Sequence, residues 1–199
     1  MPKTNFLALV RDEKLAELDA GSDASTNLLT LRDDARIAPT ANLSSPAGRS
    51  DVEAFFATFL ADEIDGQPTL LKAGEHSFSD LDAKVISLIN LNSVTALGEE
   101  IGRDVDARRF RADVYFDGTP AWAEFDWLDC KIRIGSAVAE VIKRTRRCAA
   151  TNVNPDTAAR DMNLPRALHK GWGHEDMGVY ARVVEPGEIR PGDPILPMP

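Results

Sequence analysis

The stretch Lys131-Ile132-Arg133-Ile134-Gly135-Ser136-Ala137-Val138-Ala139-Glu140-Val141-Ile142-Lys143-Arg144-Thr145-Arg146-Arg147-Cys148 decides the fold class. Charged and apolar side chains alternate over 131–134, Gly135-Ser136 is a turn, and 138–143 is an apolar-rich run. That pattern predicts two consecutive β-strands. Working outward, 112–116 and 179–185 read as further strands, with a turn at Asp117-Gly118-Thr119-Pro120 and a last short segment near Ile195. Val85-Ile86-Ser87-Leu88-Ile89-Asn90-Leu91 is apolar on both faces, which predicts a buried strand. Nearer the start, Phe6, Ala8 and Val10 alternate with Leu7 and Leu9. Leu28-Leu29-Thr30-Leu31 and 35–38 flank a polar corner at Arg32-Asp33-Asp34, so two or three antiparallel strands are expected there, with a short helix at 11–18 and a polar loop at 20–27.

Two helices stand out against this background. Ser45 and Pro46 open one at about 46–62, where Val52, Phe55, Phe56, Phe59 and Leu60 recur at helical spacing and predict a core-facing stripe. Asn92 or Ser93 caps a second that carries Val94, Leu97 and Ile101 and stops at Gly102. Eight or more short strands with few helices predict a mainly β (α+β) protein, a barrel or folded sheet with peripheral helices. The helix at 46–62 falls within an N-terminal β-rich segment, 1–80, and the remaining strands within 81–199.

The chain has 199 residues, 43% of them apolar, enough for a real core. No run approaches the roughly 18 apolar residues of a membrane helix, and the start has no apolar leader, so neither membrane partner nor secretion is expected and the address is cytoplasmic. The formal net charge of −9 argues against a nucleic-acid partner, since phosphate neutralisation needs a broad basic surface. Residues 103–170 run against that average, with 13 basic side chains and 10 acidic. Cys130 and Cys148, with His76, His169 and His174, offer neither zinc spacing nor a disulfide framework.

The chemistry concentrates in the cationic island. Lys143-Arg144-Thr145-Arg146-Arg147-Cys148 sets four cations just before a thiol. If the strand runs on, Arg144, Arg146 and Cys148 share one face and Lys143, Thr145 and Arg147 the other. Cation crowding favours the thiolate, the form that acts as nucleophile or soft-metal ligand, and guanidinium groups match phosphate in a fork geometry. Hydroxyl and amide side chains over 149–157 stand ready to hydrogen-bond a polar heterocycle. His174, in the glycine-hinged loop Gly171-Trp172-Gly173-His174-Glu175-Asp176, is a candidate proton donor over a substrate. Glu124 and Asp126 are read on one face of a strand, and Trp122, Trp127 and Trp172 as packing.

Four segments together resemble the MOSC family, the domain shared by molybdenum cofactor sulfurase C-termini and amidoxime-reducing component enzymes. Arg109-Phe110-Arg111-Ala112-Asp113 resembles the family's Arg-Phe-Arg-Pro-Asn, and Ala123-Glu124-Phe125-Asp126-Trp127 its acidic-then-Trp segment. Arg147-Cys148 with Thr151-Asn152-Val153-Asn154-Pro155-Asp156-Thr157 resembles Arg-Cys-x-x-Thr-x-Val-Asp-Pro-x-Thr. Gly178-Val179-Tyr180-Ala181 with the segment 187–193 resembles the closing strand pair. The likeness runs from about Ser87 to Ile195 and departs from the family pattern at Ala112, Asp113 and Asn154.

The resemblance implies a MOSC-type β-barrel over 81–199 and a molybdenum cofactor whose metal is ligated by Cys148, also the catalytic centre. It further implies cofactor contacts from Arg111, Arg147, Thr151 and Asn152, with Asn90 and Asp113 as secondary ones. The activity implied is reduction of N-oxygenated small-molecule substrates, such as N-hydroxylated bases, fed by an external electron-donor protein. The alternative is a sulfur (persulfide) or cofactor carrier served by a cysteine desulfurase-type donor, and a third reading is a degenerate structural module. Longer relatives begin with a further β-rich segment bearing a Tyr-Pro-x-Lys motif. Pro2-Lys3-Thr4-Asn5-Phe6 resembles an interior stretch of that segment, so two expectations stand: either Met1 is not the biological start, or half of the pocket has been lost, in which case an exposed barrel edge can pair with another copy in a homo-oligomer.

Overall fold

A computed structural model of the protein describes residues 6–33, 39–72 and 83–198. The chain divides into two compact units, one comprising 1–74 and 153–161, the other 75–152 and 162–199.

In the first unit a 3-10 turn at Glu13–Glu17 leads into β1 (Leu18–Asp23), which pairs antiparallel with β2 (Leu28–Asp33), itself paired with β3 (Thr40–Asn42). The β1–β2 connection closes because the Asp23 carboxylate accepts from the Ser25 amide at 2.9 Å and its hydroxyl at 2.6 Å. Helix α1 (Pro46–Phe59) follows, its N-terminus capped by Ser45 Oγ, which accepts from the Gly48 amide at 2.9 Å. It buries Val52 and Phe59, and the chain leaves it at Leu60, short of the expected 62.

Three expectations are corrected here. Residues 6–10 form no strand: their alternation has no pairing partner among the described residues, and the Asp12 carboxylate instead accepts from the Ala8 amide at 2.7 Å to make a turn. The expected helix at 11–18 is only the five-residue 3-10 turn. Of the expected loop at 20–27, residues 24–27 are the turn, but 20–23 belong to β1, whose side chains are exposed on both faces, so no hydrophobic alternation marks it and backbone pairing to β2 alone defines it. The strand expected at 35–38 lies outside the described residues.

The second unit holds a curled, half-barrel sheet of six strands in the order β5-β4-β8-β7-β6-β9. These are β4 (Ile86–Asn90), β5 (Val114–Phe116), β6 (Lys131–Ile134), β7 (Ala137–Arg146), β8 (Asp176–Glu185) and β9 (Ile195–Met198). All neighbours are antiparallel except β4 and β5, which are parallel and joined through α2 (Leu91–Ile101). On one side of the sheet Leu88, Ile132, Val141, Val179 and Ala181 form a core with Phe116 stacked on Trp127 at 5.4 Å. On the other, Ile89, Leu97, Leu164, Leu168 and Met177 pack the sheet against α2 and α3 (Leu164–Trp172). The fold class is therefore α+β and mainly β, as the strand count predicts.

Helix α2 starts earlier than expected because Asn90, the last residue of β4, caps it through Oδ1, which accepts from the Asn92 amide at 3.0 Å. It ends at Gly102 with φ 65°. Helix α3 has no counterpart in the sequence reading, although Asn163 at its cap, Pro165 in its first turn and Gly173 at its end with φ 75° are recognisable start and stop residues. The segment Ala123–Trp127 is a 3-10 turn, so Glu124 and Asp126 do not share a face: Glu124 is buried and Asp126 exposed. Gly178 keeps β8 close to β4. It has φ +73°, and a Cβ there would lie 2.2 Å from the Leu88 carbonyl oxygen. Among the described residues no helix is long and apolar enough to cross a membrane.

Candidate functional site

Cys148 emerges two residues past the end of β7, where the ladder with β8 slips between Val141 and Lys143 and again between Arg144 and Arg146. Those irregularities cancel the strict alternation expected for an extended strand. Lys143, Arg144, Arg146 and Arg147, drawn from both expected faces, line a single open cavity of about 540 Å³ together with Cys148 and Asn152. Glu175 is the one carboxylate in that lining, so the cavity carries an excess of positive charge. Its volume is ordinary for a small-molecule or cofactor site.

The cysteine is exposed and its main chain is firmly held. The Cys148 carbonyl accepts from the Thr151 amide at 3.1 Å and from Thr151 Oγ1 at 2.9 Å, closing the 3-10 turn Ala149–Asn152. One residue earlier, the Arg147 amide donates to the Glu175 carbonyl at 2.8 Å. The Arg147 side chain is committed to backbone: Nε and Nη2 donate to the Met177 carbonyl at 2.9 and 2.6 Å, and Nη1 to the Phe110 carbonyl at 3.0 Å. Its guanidinium also lies over the Phe110 ring at 5.3 Å. Arg147 thus ties the end of β7 to the start of β8 and to the 3-10 turn Ala107–Phe110. Arg146 extends outward and pairs with Glu175 at 2.7 Å.

Asn152 joins the cavity to α3. Its Oδ1 accepts from the Leu164 amide at 3.0 Å, and its carbonyl accepts from Nη1 of the buried Arg109 at 3.1 Å. Arg109 is a structural support that the sequence reading passed over in favour of Arg111. Arg111 itself is exposed in a left-handed turn, φ 50°, and does not line the cavity.

The remaining expected residues also lie outside the cavity lining. Asp113 Oδ2 accepts from the Ser87 amide and hydroxyl, both at 2.7 Å, pinning β5 to β4. Asn90 is fully buried, and its Nδ2 donates to the Pro120 carbonyl at 2.8 Å and to Glu124 at 3.0 Å. His174 Nδ1 accepts from the Asp176 amide at 3.1 Å, while its ring meets Trp122 and Phe125 edge-on at 5.9 and 5.4 Å.

Beneath the aromatic group sits Glu124, wholly buried, accepting from Asn90 and from Ser93 Oγ at 2.9 Å. Burial pushes its carboxyl above the usual range, and the hydrogen bonds from Asn90 and Ser93 and the charge of Arg144 offset this only in part. The 3-10 conformation of Ala123–Trp127, invisible to a strand-based reading, is what turns Glu124 inward.

Among the described residues no three His, Cys, Asp or Glu side chains gather as a metal site. A metal seated at Cys148 therefore has one soft donor from these residues and takes its other ligands from the group that carries it. The set fits such a group: an accessible sulfur, a cationic wall, and an Arg144 Nε that is buried with no acceptor among the described residues.

Comparison with protein families matches residues 73–196 to the MOSC domain, and the chain belongs to that family. Among curated proteins it is 29% identical over 126 residues to mitochondrial amidoxime-reducing component 1 of Xenopus laevis, covering 57% of this chain and 36% of that protein. It is 27% identical over 147 residues to mitochondrial amidoxime reducing component 2 of Macaca fascicularis, covering 66% of this chain and 42% of that one. The match thus spans well under half the length of these relatives. A solved structure, YiiM from Geobacillus stearothermophilus, aligns with a TM-score of 0.46 and 23% identity over 57% of this chain and 54% of its own.

Proposed function

We propose that this chain binds a molybdenum cofactor, with Cys148 as the protein's ligand to the metal, and that it reduces N-oxygenated small molecules such as amidoximes or N-hydroxylated bases. The carrying observation is the exposed Cys148 thiol on a cation-lined cavity large enough for a cofactor. Membership of the MOSC family and the similarity to two amidoxime-reducing components support the choice of cofactor and substrate class.

When bound, the cofactor supplies two-electron chemistry at molybdenum. Cleavage of a substrate N–O bond consumes two electrons and two protons and yields the N–H compound and water. The electrons come from an external electron-donor protein. The chain's own part is to present the Cys148 sulfur from a rigid turn and to meet the cofactor's anionic group with cations. Thr151 fixes the turn, Arg147 anchors it to β8, and Asn152 sets the start of α3 against the cavity.

The exposure of Cys148 also suits a second reading, a persulfide or cofactor carrier that reduces nothing. Metal analysis and intact mass of protein from a host that makes the cofactor separate the two. Stoichiometric molybdenum, lost in Cys148→Ser, together with reduction of an amidoxime supports the reductase, and the same molybdenum with no reduction supports a cofactor carrier. A persulfide on Cys148 without molybdenum supports the carrier. Neither metal nor persulfide refutes both readings.

A further inference from the structure

The proposed reduction consumes two protons, and one of them must reach nitrogen as its bond to oxygen breaks. His174, the proton donor expected from the sequence, does not line the cavity. A guanidinium does not give up its proton in a protein, which sets aside the three arginines of the lining. Glu175 is the ion-pair partner of Arg146, and Cys148 is the proposed metal ligand. Two proton carriers remain in the described lining, Lys143 and Tyr180.

These two oppose each other. Lys143 on β7 pairs in register with Tyr180 on β8, and directly opposed side chains on antiparallel strands leave the same face with their Cβ atoms about 5 Å apart. A slip in the ladder creates this pair. Val141 opposes Ala181, and both belong to the core beneath the sheet. Strict alternation would send Lys143 to that core side and Tyr180 to the other. The slip between Val141 and Lys143 leaves Ile142 without an opposite residue and turns Lys143 to meet Tyr180 on the cavity side. Tyr180 is half-buried there and Lys143 exposed. Arg144 of β7 and Glu175 of the preceding loop share the same lining. Along β8, Arg182 is paired with Glu140, and opposite Tyr180 on β4 stands Ser87, whose hydroxyl is given to Asp113. The nearby charge not already answered by a carboxylate is thus cationic, which favours a phenolate once the phenol has lost its proton.

We infer that Tyr180 is a catalytic acid of this cavity, giving its phenolic proton to the nitrogen of the bound N-oxygenated substrate, with Lys143 as the positioning residue that steadies the phenolate. The inference rests on the proposed reduction. The Tyr180 O–H bond breaks and an N–H bond forms at the substrate nitrogen as the N–O bond opens. The two electrons come from the external electron-donor protein, and the second proton comes from solvent and leaves with the oxygen as water. The phenolate, beside the Lys143 ammonium, takes its proton back from solvent through the open cavity.

The test uses the full chain loaded with molybdenum cofactor and benzamidoxime as the substrate. Molybdenum content, substrate affinity by calorimetry without the electron donor, and turnover with it are measured on each protein. Tyr180→Phe keeps the parent's molybdenum, binds benzamidoxime to within about twofold of the parent, and loses about 100-fold in kcat, the usual weight of a general acid. Lys143→Met keeps affinity and loses about tenfold in kcat, the effect of removing one charge near a partly solvated phenolate. Lys143→Arg, which keeps the charge opposite Tyr180, recovers most of that loss. Thermal melts separate lost chemistry from lost folding, and because Lys143 is exposed its variants test the inference even where Tyr180→Phe does not fold.

The inference is overturned if Tyr180→Phe or Lys143→Met turns over at the parent's rate. It is also overturned if Tyr180→Phe loses affinity while kcat stands, which makes Tyr180 a binding residue only, or if His174→Gln rather than Tyr180→Phe loses kcat at unchanged affinity, which returns the role to the histidine. A parent chain that reduces nothing sinks the proposed function and this inference with it. A parent that reduces benzamidoxime at a rate indifferent to Tyr180 and Lys143 sinks this inference alone.

Discussion

Arg146 and Arg147 are neighbours in sequence, of identical chemistry, and the structure assigns them opposite energetic weights. Arg147→Met removes three donors from two main-chain carbonyls, those of Met177 and Phe110. A hydrogen bond from a charged donor contributes about 1.5–3 kcal/mol, and leaving its acceptor unsatisfied costs a comparable amount. With two acceptors, and with water able to reach part of the site from the open cavity, the net loss is about 3 kcal/mol. At roughly 2–4 °C per kcal/mol for a chain of this size, the melting temperature falls by about 9 °C. Arg146→Met breaks only a pair whose arginine side chain is 77% exposed, which is worth about 0–1 kcal/mol, so its melting temperature moves by no more than about 3 °C. Paired thermal melts and urea titrations of the two variants test the contrast. Equal stability of the two, or an Arg147→Met protein that melts with the parent, refutes the assignment of Arg147 as a brace of the turn that presents Cys148.

Glu124 predicts a pH dependence of stability. Its folded-state carboxyl titrates above the usual value of 4.5 because burial disfavours the charge, so the folded chain holds a proton that the unfolded chain has released. Stability contributed by this group is full below 4.5 and falls as pH rises toward the raised value, about 1.4 kcal/mol for each tenfold difference in proton affinity. Glu124→Gln, which imitates the protonated acid, escapes that fall, and melting curves of the two proteins that stay parallel from about pH 4 to about pH 8 sink the reading. Gly178→Ala forces a Cβ to within 2.2 Å of the Leu88 carbonyl at a positive φ, and its cost of at least about 3 kcal/mol is read from the urea midpoint. An alanine variant with the parent's midpoint shows that β8 can move away from β4 at little cost.

Much of the sheet was legible because its strands carry their own signals. The β6–β7 hairpin follows from alternation around Gly135-Ser136, and β4 from a run apolar on both faces, since buried strands need both faces covered. The strand β1 was illegible for the opposite reason: with both faces exposed it has no hydrophobic pattern to read. Helix α3 carried its caps openly, and the short Leu164 and Leu168 stripe that it buries was overlooked. At the candidate site, the motif around Cys148 drew attention to the right cavity, but residue type alone does not say where a side chain's hydrogen bonds go. Asn90 and Asp113 have the chemistry of ligand contacts and are spent on holding loops and strands together.

From sequence alone come the family, the mainly β character, the cationic island and the prominence of Cys148, because each depends on local pattern or on residues adjacent in the chain. Only the tertiary structure separated the arginines. Two of the three slips in the β7–β8 ladder fall beside the cavity, whose lining takes residues from both faces of the strand, and long-range partners consumed Arg147 and Arg146 while Arg144 lies over the Phe125 ring. The physical reason is that a guanidinium's role is set by the acceptors within about 3 Å of it, and those acceptors come from segments distant in sequence whose positions are set only when the sheet closes.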